Sequence, residues 1–173
     1  MKTNFTPACL LLLAACASLP PQVVIPEALV PAGERAIERL SARGVQIYEC
    51  RVATGTANPG PTWTFVAPEA ELFDSQGRNV GKHYAGPHWE APDGSKISAT
   101  VKARADAPQA GAIPWLLLTA KSVGGGGRFA GVTSVQRVNT GGGVAPAAKC
   151  DPAKRGATER VPYTADYVLF GRA

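Results

Sequence analysis

From Lys96 to Arg104 the chain alternates with a period of two: Ile97, Ala99, Val101 and Ala103 fall on one side, Ser98, Thr100, Lys102 and Arg104 on the other. That pattern predicts a strand with one dry face and one wet face. Residues 45–52 are rich in branched and aromatic side chains and read as a second strand. Two shorter runs, 63–66 and 71–73, flank Ala67-Pro68, whose proline argues for a bend or a sheet edge. A turn at 74–77 leads into a run at 79–84. Residues 115–120 are apolar on both faces and predict a strand buried on both sides. Further strands are expected at 132–138 and at 161–170, with Pro162 among the first residues of the latter, and Gly124 to Gly127 reads as a flexible loop. Ahead of all these, Ala36, Ile37 and Leu40 recur at helical spacing, with Arg39 and Arg43 toward the end and Gly44 as a stop. They predict a short helix over 33–43. The chain is therefore expected to be mainly β: a single-domain β-sandwich or β-barrel of about eight short antiparallel strands with one short N-terminal helix.

The first residues follow a different rule. Lys2 supplies a positive charge and the run Cys9 to Ala15 is short and apolar, the layout of a secretory signal. The run is far shorter than the roughly 18 apolar residues that read as a transmembrane helix. Leu13-Ala14-Ala15-Cys16 resembles the lipobox of bacterial lipoproteins, which implies cleavage after residue 15 and lipidation of Cys16. Residues 1–15 are thus expected as a lipoprotein signal peptide, 16–30 as a lipid-anchored linker and 31–173 as one β-rich domain. Ala17-Ser18 lacks an aspartate after the cysteine, which favours the outer membrane, facing the periplasm.

Composition narrows the partners. The 173 residues are 45% hydrophobic, with 19 Gly and 15 Pro, as suits a globular fold with many turns. The net charge of +5 is scattered along the chain, without the basic patch and interleaved aromatics that nucleic acid would require. Expected contacts are the membrane, through the lipid, and a glycan, a lipid or another envelope protein. In an oxidising compartment the two remaining cysteines, Cys50 and Cys150, are expected to form a disulfide, since neither sits in a CxxC motif.

The segments Gly44-Val45-Gln46-Ile47-Tyr48-Glu49-Cys50, Gly81-Lys82-His83-Tyr84-Ala85-Gly86-Pro87-His88-Trp89-Glu90 and Ile113-Pro114-Trp115-Leu116-Leu117-Leu118 resemble the family known as domain of unknown function 3455. So do Asp93-Gly94-Ser95, Val135-Gln136-Arg137-Val138-Asn139-Thr140 and the segment 161–167. The resemblance covers nearly all of the chain after the signal, and it implies no particular activity. Some fungal relatives carry a malate dehydrogenase label, but the chain has neither a GxGxxG after a strand nor a βαβ rhythm to support it.

The segment 83–93 holds both histidines, an aromatic pair and two carboxylates. His83, Tyr84, Trp89, Glu90 and Trp115 are the candidate ligand-binding residues, with Trp63 as a further aromatic wall. No catalytic residue is assigned: a G-x-S-x-G elbow and a phosphate loop are absent, and no carboxylate pair is placed at glycosidase spacing. The favoured reading is a lipid-anchored binding or structural module of the cell envelope without a cofactor. The alternative is a metal-dependent enzyme holding zinc or copper between His83, His88 and Glu90.

Overall fold

The computed structural model describes residues 23–52 and 60–173. The predicted signal peptide, Cys16 and the linker up to residue 22 lie outside the described residues. Eight antiparallel strands, β1 (Glu34–Val52), β2 (Pro61–Phe73), β3 (Asn79–Tyr84), β4 (His88–Glu90), β5 (Lys96–Ala105), β6 (Trp115–Ser122), β7 (Ser134–Gly142) and β8 (Thr158–Arg172), follow one another around the sheet. The last pairs with the first, so the expected β domain is a closed barrel.

The helix predicted over 33–43 does not form. Those residues open β1, a strand of 19 residues that pairs with β8 on one side and β2 on the other: Ser41 is opposite both Asp166 and Phe73. An isolated helix this short is marginal in water. In the barrel, by contrast, both edges of the strand are hydrogen-bonded while Leu40 and Ala42 enter the core. Gly44, expected as a helix stop, serves a different purpose. A Cβ there would lie 2.1 Å from Glu69 O and 2.5 Å from Ala70 Cα, so glycine lets β1 and β2 approach closely. The only described helical pieces are two 3-10 turns, Glu27–Leu29 and Pro152–Lys154.

Alternation sorts the apolar side chains into two layers. Leu72, Trp89, Ile97, Leu118, Val135 and Tyr167 fill the interior. Trp115, Leu117, Val138 and Val168 point outward and are covered by Leu29, while Gln136 Nε2 donates to Leu29 O at 2.7 Å. That cover explains why 115–120 is apolar on both faces. Part of the expected linker is therefore docked on the wall. The run in β5 is also split: the register shifts between Val101 and Ala103, so Ala103 leaves the inner face and joins the outer cluster.

The two ends of the barrel differ. At the base, where β5 and β7 begin, Phe129 is fully buried and its N–H donates to Ser95 Oγ. Ser95 Oγ donates in turn to Asp93 Oδ1 at 2.6 Å, and Arg128 N–H to Asp93 Oδ2 at 2.8 Å. The last glycine of the run at 124–127 packs against this network: a Cβ on Gly127, at φ +136, would lie 2.4 Å from the Asp93 carboxylate. At the mouth, Cys50 and Cys150 form the expected disulfide, tying the end of β1 to the long connection before β8.

Candidate ligand cavity at the open end of the barrel

The hairpin of β3 and β4 is short. β3 pairs with β2 only from Ala70 to Phe73, and β4 with β5 only from Lys96 to Ser98. Above it, residues 61–69 of β2 and 100–105 of β5 face a notch in the wall. Pro68 sits on that stretch, which pairs with β1 along one edge only, the kind of position where proline is tolerated in a sheet. Phe65, Val66 and Val101 line the notch at 50%, 45% and 60% exposure, unusual for large apolar side chains next to a core.

Behind the notch is a cavity of about 200 Å³ lined by Gln46, His83, Trp89, Leu118, Arg137 and Tyr167, among others. A shallower hollow of about 440 Å³ toward the rim shares Gln46, Phe65, Val101, Leu116 and Arg137 with it and adds Arg104. Neither lining contains an aspartate or a glutamate.

His83 stacks on Trp89 with ring centroids 4.0 Å apart, and Tyr167 meets both rings edge-on. Burial drives the His83 pKa down to about 3; the bond to the His88 carbonyl opposes that, and the positive field of Arg137 adds to it. The ring is therefore neutral at physiological pH. Its Nδ1 is 2.8 Å from His88 O, so Nδ1 carries the proton and donates, leaving Nε2 as an acceptor. Burial likewise raises the Tyr167 hydroxyl, partly offset by Arg137. Arg137 donates through Nε and Nη2 to Pro114 O at 3.1 and 2.8 Å. Gln46 is 2% exposed, and its Nε2 has no hydrogen-bond partner.

The structure thus unites two of the five candidate residues, His83 and Trp89, and separates the rest. Register puts His83 opposite Trp89, facing in, whereas Tyr84 is opposite His88 and Lys82 opposite Glu90, facing out. On the outer face the Tyr84 hydroxyl donates to Glu90, which raises the tyrosine pKa and lowers that of the carboxylate. Lys82 Nζ lies 3.7 Å from Glu90, and the Tyr84 and His88 rings stack at 5.4 Å. Trp115 lies outside the barrel beneath Leu29, and Trp63 donates to Ala148 O at the rim.

The zinc or copper alternative fails on this geometry. His83 points into the barrel with its cross-strand partner Trp89, while His88 and Glu90, one position to either side of Trp89 on β4, point away from it. Among the described residues no three His, Cys, Asp or Glu side chains are grouped to hold a metal ion.

Gln46, Arg137 and Tyr167 escaped the sequence reading as site residues. A signal was present for Arg137: two positions after Val135, it puts a charge on the inward face of a strand. Gln46 likewise shares the face of Tyr48 and Cys50.

No curated protein and no solved structure matches the chain. A family model does, over residues 31–171, which is the whole barrel apart from Arg172 at the end of β8, and on that match the chain belongs to the family described as Protein of unknown function (DUF3455).

Proposed function

We propose that this protein is a lipid-anchored binding module of the bacterial envelope whose barrel cavity holds a small molecule with an apolar body. The observation that carries the reading is the cavity itself, walled by Trp89, Tyr167 and Leu118 and reached through a notch of exposed Phe65, Val66 and Val101. Small-molecule sites are concave, mostly apolar and fitted with few polar groups, and the mouths of β-barrels are among their usual places. The volume suits a single ring or a short chain. The anchor reading rests on the lipobox-like sequence at Cys16, and the chain that follows docks on the outer wall of the barrel, where Ile25 and Leu29 join the cluster of Trp115, Leu117 and Val168. Val23 is seven chain steps from Cys16, a reach of at most about 25 Å. The tether would hold the barrel close to a bilayer.

The test uses 2-phenylethanol, a neutral probe of matching size, and backbone amide chemical shifts. Perturbations are expected to cluster at Gln46, His83, Trp89, Arg137 and Tyr167 and to vanish in Val101→Trp, which blocks the notch. Shifts scattered over the outer surface, or none, would overturn the binding reading. The anchor is tested separately. Cys16→Ala is expected to move the protein from the membrane fraction to the soluble periplasmic fraction, and unchanged membrane fractionation would refute it.

A further inference from the structure

The cavity contains a positive charge with no protein counter-charge. None of the six ion pairs among the described residues involves Arg137, while Arg39, Arg128 and Arg160 each hold a carboxylate. Arg137 donates to the Pro114 carbonyl and lies against the Tyr167 hydroxyl, both neutral groups. An aspartate or glutamate in either lining would neutralise it, and there is none. Arg137 is half-buried, and a charge drawn partly out of water is stabilised by an opposite charge beside it. Gln46 presents a second donor on the same cavity, buried and unpartnered. Such a group has lost its hydrogen bonds to water without replacing them. His83 adds no charge, being neutral. The remaining lining is apolar, so a hydrated inorganic anion would find little to replace its water shell.

We propose that the ligand is a small monocarboxylate, its carboxylate held by the Arg137 guanidinium and the Gln46 amide and its apolar body set against Trp89, Leu116 and Leu118. This rests on the binding reading above and specifies the ligand class. A carboxylate supplies the missing counter-charge and accepts from both donors, and a planar guanidinium is shaped for it. Arg104 at the rim adds a second positive charge along the approach.

The experiment titrates the full chain in lipid nanodiscs with phenylacetate and with its neutral counterpart 2-phenylethanol, reading tryptophan fluorescence and amide shifts. Phenylacetate is expected to bind tighter by about tenfold or more, the factor one charge-assisted hydrogen bond supplies. Arg137→Leu should erase that preference while 2-phenylethanol still binds. Gln46→Leu, which removes a buried unpartnered amide and should leave the fold intact, should shrink it. Equal binding of the two probes by the unaltered protein, or a preference that survives Arg137→Leu, would overturn the carboxylate assignment and leave the cavity reading standing. Failure of both probes to bind would overturn both.

Discussion

The two ends of this barrel are built from the same eight strands, yet they solve opposite problems. At the base, a loop folds back and inserts Phe129, and the polar groups beside it are paired: Ser95 bonds Asp93 and Phe129 N–H, Asp93 holds Arg128 N–H, and the Arg128 side chain pairs with Glu38. At the mouth, the wall drops at the short hairpin of β3 and β4, apolar side chains stay exposed, and Arg137 and Gln46 keep unused donors. Satisfied polar groups around a buried aromatic are what a fold requires for stability. Unsatisfied donors beside exposed apolar side chains cost stability and are what a ligand can use. The base keeps the fold, and the mouth is where binding is expected.

The largest effect should come from opening the base. Phe129→Ala removes a fully buried ring and is expected to cost about 3–5 kcal/mol in urea denaturation. A loss under about 1 kcal/mol would mean that the base is not packed as described. Next comes the covalent tie at the mouth. With a sequence separation of 100, replacing Cys50 and Cys150 by alanine is expected to cost about 2–5 kcal/mol. Hydrogen exchange should then rise around Tyr48 and Trp63 and stay slow around Phe129; uniform loosening would erase the distinction between the ends.

A smaller effect separates them by pH. His83 has a pKa of about 3 in the fold against an ordinary 6.5, so as pH falls the unfolded chain binds a proton before the folded one. The His83 contribution is complete above about pH 6.5 and is lost toward pH 3, by at most about 1.4 kcal/mol per pH unit. His83→Phe keeps an aromatic partner for Trp89 and should flatten that slope between about pH 7 and 5; an unchanged slope would show that another group carries it. The smallest change belongs to Phe65→Ala in the notch. Half exposed, this side chain should contribute little, with stability altered by about 0.5 kcal/mol or less. A loss as large as that of Phe129→Ala would make the mouth a second core.

How much of this was legible in advance depends on the range of the interaction concerned. Alternation at Ile97, Ala99 and Val101 found an inward face correctly, because it is set by local backbone geometry. It failed at Ala103, where a bulge shifts the register, and a bulge depends on the partner strand. The helix reading at 33–43 failed for a related reason: the spacing of Ala36, Ile37 and Leu40 is a local preference, and pairing with β2 and β8 outweighs it. Of the candidate site, His83 and Trp89 were found because histidine and tryptophan advertise themselves by type. Gln46 and Arg137 were missed because each is ordinary until the barrel closes and puts it beside an empty space.

The sequence by itself determined the β character, the turns, the cysteine pair and membership of a family, since side-chain period, glycine and proline placement and residue identity are all written along the chain. Tertiary structure alone decided that the sheet closes, that Trp115 belongs outside and Trp89 inside, and that Arg137 lacks a counter-charge. The physical reason is that burial and electrostatic pairing are properties of space. Residues from β1, β4, β7 and β8 become neighbours only when the strands close into a ring, and a charge counts as unpaired only once every group around it is known.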